Sequence, residues 1–167
     1  MITLMPYTNE KKSIWDCFVK TGKNRHFFFQ RDYMDYHADR FEDKSLLFFD
    51  GNDLLAVLPG TRHQETYISH GGLTFGGLIF DKNIKISEVF RIFSAIKIYL
   101  RSCGLQVLRY KAMPYIYHEM PAEEDLFLLL YHKAVLIRRD VSSTIDLQNK
   151  LGFSDGKKNG ISKAKKN

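Results

Sequence analysis

His118 is followed by Glu119, the pair that opens a zinc-hydrolase helix. That chemistry needs a second histidine four residues after the first, and Ala122 stands there behind Pro121. His26, His37, His63 and His132 have no partner at ligand spacing, so no metal site is expected. Without a metal, a histidine is the side chain best placed to exchange a proton near neutral pH, and His118 is the candidate general base. Lys111, Tyr115 and Tyr117 lie close by in sequence. They are candidate substrate contacts, or else a polar rim around aromatic packing.

The most unusual stretch is His70-Gly71-Gly72-Leu73-Thr74-Phe75-Gly76-Gly77. It has neither the Lys-Ser/Thr of a P-loop nor the glycine spacing of a dinucleotide fold. Two readings stand side by side. The glycines mark a bend where another backbone approaches, or they floor a groove in which substrate lies against bare main chain, edged by His70 and Thr74. On the second, His70, Gly72, Thr74 and Gly76 bind substrate. Arg138-Arg139-Asp140 suits an anionic group, but strand alternation lets at most one arginine face a site. Arg139 is the candidate, against a surface ion pair with Asp140. No Ser/His/Asp or Cys/His nucleophile set matches a family signature.

Positioning these residues requires a scaffold. Residues 9–20 have the periodicity of a short amphipathic helix with Asn9 as its cap, Ile14, Trp15, Phe18 and Val19 as its stripe, and Gly22 after its end. A second helix is expected over 30–39. Strands at 45–49 and 54–59 flank Asp50-Gly51-Asn52-Asp53 and form a hairpin. A strand over 65–69 leads into the glycine run. The clearest helix covers 87–102, with Ser87 as cap, a stripe of Val89, Ile92, Phe93, Ile96, Leu100 and Cys103, and Gly104 beyond it. A strand at 105–109, a helix opened by Pro121, and strands at 134–137 and 143–147 follow. Gly156 and Gly160 weaken any last helix. The fold class is therefore α/β, an α+β mixed sheet with helices on both sides.

Composition narrows the function classes. Hydrophobic residues make up 44% and charged residues 26% of the 167, an ordinary globular balance. No apolar run approaches the roughly 20 residues that span a bilayer. The start, Met1 to Pro6, lacks a basic region followed by an apolar stretch, so no secretory leader is expected. Cys17 and Cys103 are expected to be reduced core thiols, and the compartment is expected to be the cytoplasm. The net charge of +6 comes mostly from six lysines after residue 148, set against Asp155 alone. The body is nearly neutral and does not suit nucleic acid.

The element order resembles that of the GNAT superfamily, with a long helix between the fourth and fifth strands. Several segments are similar to FemAB-like proteins: residues 27–41, the glycine run from Ser69, Tyr110-Lys111-Ala112-Met113-Pro114-Tyr115-Ile116-Tyr117-His118, Glu123-Glu124-Asp125-Leu126, and residues 138–147. This resemblance implies a GNAT-like fold with a central mixed, mostly antiparallel sheet flanked by helices. Residues 1–147 would form the GNAT-like domain. Residues 148–167 would be a lysine-rich tail or the start of a second GNAT-like half. The implied activity moves an acyl or aminoacyl group to an amine of a cell-envelope or polysaccharide precursor, small-molecule, glycan or peptide. Acyl-CoA or aminoacyl-tRNA is the possible co-substrate, and a second half or a second copy the possible partner. One departure matters. GNAT acetyltransferases hold the CoA pyrophosphate with a glycine-containing loop before the long helix, and residues 79–86 contain no glycine but do contain Asp81. The alternative is a non-catalytic GNAT-like module that binds substrate or pairs with another chain.

Overall fold

The computed structural model describes residues 1–141 and 143–166. Its centre is a hairpin of β2 (Leu46–Asp50) and β3 (Asp53–Leu58), turned at Gly51, whose φ of 59° suits a residue without a side chain. β1 (Ile2–Pro6) pairs antiparallel with β2, and β6 (Ile79–Phe80) pairs antiparallel with β3, giving a sheet ordered β1-β2-β3-β6. A second sheet holds β4 (Thr61–His63), β5 (Thr66–Ile68) and β7 (Val107–Arg109). There β4 and β5 run antiparallel, while β5 and β7 run parallel from Thr66↔Val107 to Ile68↔Arg109. A parallel pair needs a crossover, and α3 (Ile86–Ser102) lies on it.

Strand alternation sorts the core into two layers. Leu46, Phe48, Ala56, Leu58 and Phe80 pack with Val89, Ile92, Phe93, Ile96 and Leu100 of α3 and with Leu128 of α4 (Glu124–Tyr131). Leu47, Val57 and Ile79, their neighbours in sequence, pack with Trp15, Phe18 and Val19 of α1 (Lys12–Thr21), with Met34 of α2 (Arg31–Met34), and with Phe29 and Phe75. The central strands are apolar at consecutive positions because both faces are covered.

Several expectations are corrected. Neither Asn9 nor Ser87 is a cap: α1 follows a 3-10 turn at Asn9–Lys11, and α3 starts after Lys85, whose N–H donates to the Glu88 carboxylate at 2.7 Å. α4 begins after Glu123, not at Pro121, and the helix expected over 30–39 is only one turn of α-helix followed by a 3-10 turn at Asp35–His37. Cys17, Cys103 and Ile14 are exposed rather than buried, because each lies just off the stripe its helix presents to the sheet.

Met1–Ala134 and Val135–Asn167 are two separate compact units. In the second, α5 (Asp155–Ala164) forms despite Gly156 and Gly160. The strands expected at 134–137 and 143–147 are absent among the described residues, and Ser142 lies outside them. Ala134 is committed elsewhere. Its N–H bonds the Leu129 carbonyl behind Lys133 at φ 55°, a left-handed helix ending. Val135, Leu136 and Ile137 are exposed and have no partner strand, without which an extended segment has no ladder to hold it. Among the described residues no helix is long and apolar enough to cross a membrane.

Candidate functional site

β5 ends at Ile68, and the chain then loops through the glycine run before re-entering the first sheet as β6. The three residues after Leu108 hold this loop. Ser69 N–H donates to Arg109 O, Lys111 N–H to Ser69 Oγ, and Gly76 N–H to Lys111 O, at 2.7 to 3.0 Å. Lys111 Nζ donates to the carbonyls of both His70 and Leu73. Burial lowers the pKa of this ammonium, and Arg109 adds to the effect. Lys111 is thus a clamp on the loop.

Gly76 makes the closest approach. A Cβ there would stand 2.0 Å from the Ser69 carbonyl oxygen, so the two backbones touch where any side chain would block them. At Gly72 the obstacle is the Phe41 ring, 2.7 Å from a Cβ. The packed-bend reading therefore describes the close approach at Gly76.

His70 is 5% exposed and adopts φ 65°, a left-handed backbone uncommon outside glycine that asparagine, aspartate and histidine enter most readily. Its Nδ1 is buried without a partner. Burial first, and the charge of Lys111 second, push its pKa down to about 4, so the imidazole is neutral at pH 7. His70, Gly72 and Leu73 share a cavity of about 400 Å³ with Asp32, Tyr33, Met34 and Tyr36. Behind it, Arg31 is 2% exposed and pairs with Asp35 and Asp43 while its guanidinium lies 3.7 Å from the Tyr7 ring centre. Two carboxylates and a ring face compensate the buried charge.

His118 follows a 3-10 turn at Tyr115–Tyr117 and lines neither this cavity nor the small one behind it. Both its ring nitrogens are buried, and burial lowers its pKa against the opposing pull of the Met113 backbone and the Glu123 and Glu124 carboxylates. Nearby, the buried Lys23 pairs with Glu124, whose second oxygen is unpartnered. Tyr117 stacks on Phe75 at 5.3 Å, while Tyr115 and Thr74 are exposed. Arg139 is exposed in the second unit, where Arg138 bonds Asp140. Of the sequence candidates, His70 and Gly72 come together in one cavity, and Lys111 braces its rim. Among the described residues no cluster of three His, Cys, Asp or Glu side chains is placed to hold a metal.

Two features have no counterpart in the sequence reading. The edge of β6 opposite β3 is occupied by residues 22–24. Asn24 Nδ2 donates to Leu78 O at 2.7 Å, Phe80 N–H donates to Asn24 Oδ1 at 2.9 Å, and Lys23 N–H donates to Phe80 O at 3.0 Å. Tyr110 bridges where strand pairing lapses. Leu78 N–H donates to its hydroxyl, which donates to Asp125. The start of α3 carries its own carboxylate in Glu88, with Asp81 just upstream accepting from Asn83 N–H, so it presents negative charge where a phosphate would need positive.

A three-layer α/β arrangement with an antiparallel first sheet, a parallel β5–β7 pair and a long crossover helix defines the class: this chain has the GNAT fold of the N-acetyltransferases. Solved structures share it. The ribosomal-protein-S18-alanine N-acetyltransferase of Escherichia coli is similar with a TM-score of 0.54 and 10% identity, over 90% of this chain and 88% of that one. The aminoglycoside antibiotic 6'-N-acetyltransferase of Acinetobacter baumannii gives 0.53 and 10%, over 88% and 99%. An aminoglycoside acetyltransferase from an uncultured soil metagenomic sample gives 0.51 and 11%, over 88% and 99%. At such identities the likeness is one of fold. The sequence matches no protein-family model and no curated protein.

Proposed function

We propose that this chain is the acceptor-binding GNAT-fold domain of a FemAB-like acyl- or aminoacyltransferase, acting in the cytoplasm on an amine of a cell-envelope or polysaccharide precursor. One contrast carries the reading. The cavity beside His70 is open, whereas the β6 edge is filled by Lys23 and Asn24 and the α3 start is guarded by Glu88 and Asp81. The acceptor then sits in this domain, and acyl-CoA or aminoacyl-tRNA is presented by a second GNAT-like half or a partner chain.

The chemistry asked of this domain is positioning and proton removal. The acceptor amine attacks the acyl carbonyl as a free base, forming the C–N bond while the donor's sulfur or oxygen leaves with the bonding pair. A neutral imidazole accepts the proton the amine sheds; His118, whose pKa burial keeps low, is the candidate for an amine that extends beyond the His70 cavity. The same closed edge also supports a non-catalytic substrate-binding module. Calorimetric titration of the chain with acetyl-CoA should give nothing tighter than about millimolar, roughly −4 kcal/mol. Micromolar binding overturns the division of labour and makes this chain a complete acetyltransferase.

A further inference from the structure

The walls of the cavity beside His70 carry a chemical preference of their own. Four rings stack in series: Tyr33 on Phe28 at 9° between planes, Phe28 on Phe75 at 24°, and Phe75 on Tyr117 at 23°. The middle rings belong to the core layer between the sheet and the first two helices, so the stack is anchored. Tyr33 ends it at the cavity, 44% exposed, with one face already held against Phe28. A fixed aromatic ring at the wall of a small cavity is a platform for a flat, weakly polarised C–H face, which the negative face of the ring attracts.

The polar groups narrow the occupant further. Asp32 supplies a carboxylate to the lining and pairs with Lys12 at 2.9 Å. His70 lines the cavity with an imidazole whose Nδ1 is sealed from solvent, and a left-handed backbone pins it. No lysine or arginine is among the described lining residues, and the cations nearby are committed, Lys111 to two loop carbonyls, Lys12 to Asp16 and Asp32, and Arg31 to Asp35 and Asp43, so none is spare for a phosphate or a carboxylate. Met34 and Leu73 complete an apolar floor, and about 400 Å³ lies within the range of small-molecule sites. An aromatic platform, an acceptor carboxylate and a neutral imidazole together match a ring with one C–H face and a rim of hydroxyls.

We propose that this cavity binds a pyranoside without an anionic substituent, its ring face on Tyr33 and its hydroxyls shared between Asp32 and His70. The sugar assignment rests on the acceptor reading above only for the expectation that the sugar carries an amine. The platform and the exclusion of anions are read from the lining itself.

The test is a titration followed by the amide spectra of the whole chain with four probes: methyl glucosaminide, methyl glucoside, glucuronate and butylamine. Both neutral-ring glycosides should shift the amides of Tyr33, His70 and Leu73, while glucuronate should bind at least about tenfold more weakly. Tyr33→Ala should weaken glycoside binding about tenfold, and its exposed position spares the fold. His70→Gly should do the same without unfolding the loop, since glycine adopts the left-handed backbone freely. Shifts from butylamine with none from either glycoside overturn the sugar assignment and leave the acceptor reading standing. Silence from all four probes overturns both. Glucuronate binding as tightly as the glucoside, or a Tyr33→Ala protein that binds normally, also overturns the proposal.

Discussion

Replacing Asp125 by asparagine should make this protein less stable than wild type in acid and more stable above neutrality. The Asp125 carboxyl is 5% exposed at the start of α4, accepting from the Tyr110 hydroxyl and from the Leu126 N–H at 2.7 Å. Burial raises its pKa from an ordinary 3.8 to about 6, with the charge of Glu124 adding to the rise and the two donors restraining it. The native state therefore keeps this proton at pH values where the unfolded chain has lost it. Stability is fully present below 3.8 and drains as the pH climbs through about 6. At about 1.4 kcal/mol per pH unit the loss is about 3 kcal/mol. The amide of the variant would keep an oxygen for Tyr110 but offer no second acceptor to Leu126, costing about 1 kcal/mol. Asp125→Asn should thus be about 1 kcal/mol less stable than wild type at pH 3 and about 2 kcal/mol more stable at pH 7.5. Urea unfolding at constant ionic strength across that range measures both proteins. A difference that keeps one sign throughout refutes the buried, proton-holding carboxyl.

The two glycines should separate under thermal unfolding. Gly76→Ala drives a Cβ against the Ser69 carbonyl and should cost about 3 kcal/mol or more, whereas Gly72→Ala meets only the Phe41 ring, which can turn, and should cost about 1 kcal/mol. Equal losses would contradict the backbone contact at Gly76. Asn24→Ala leaves Leu78 O and Phe80 N–H unpaired and should cost about 2 to 4 kcal/mol in urea, with faster hydrogen exchange at Phe80; a change below about 0.5 kcal/mol would mean the edge is not held there. On α4, Phe127, Leu130 and Tyr131 are more than half exposed, and sedimentation on the order of tens of micromolar should show self-association that Leu130→Glu abolishes. A monomeric wild type at that concentration would rule this out.

The parts of the fold legible in the sequence are those fixed by local chemistry. Asp50-Gly51-Asn52-Asp53 between two apolar runs can hardly be anything but a hairpin turn, and the stripe from Val89 to Leu100 closed by Gly104 marks α3. What escaped depends on partners distant in sequence. β6 is two residues long and is a strand only because β3 lies alongside. β1 has no turn beside it to announce it. Residues 134–147 have the alternation of strands, but alternation states a preference for a sheet edge and cannot supply one. The glycine run was conspicuous enough to single out His70 and Gly72. Asp32 and Tyr33, on the opposite wall, looked like ordinary members of a short helix, and Lys111 looked like a ligand contact rather than a clamp. Asn24, in a polar stretch after α1, carries no signal that its amide completes a strand 54 residues away.

That amide also governs where the molecule is sticky. An open sheet is a template for other chains wherever its last strand shows a free row of donors and acceptors. The first sheet ends at β1 and β6, and the row along β6 is already spent on Lys23 and Asn24. One side-chain amide and one loop N–H spend it, not a strand, so the cap itself offers no further edge to copy. Growth by strand addition is terminated on that side by two residues of a connecting loop, and the identity of residue 24 bears on whether the chain stays dispersed while it folds.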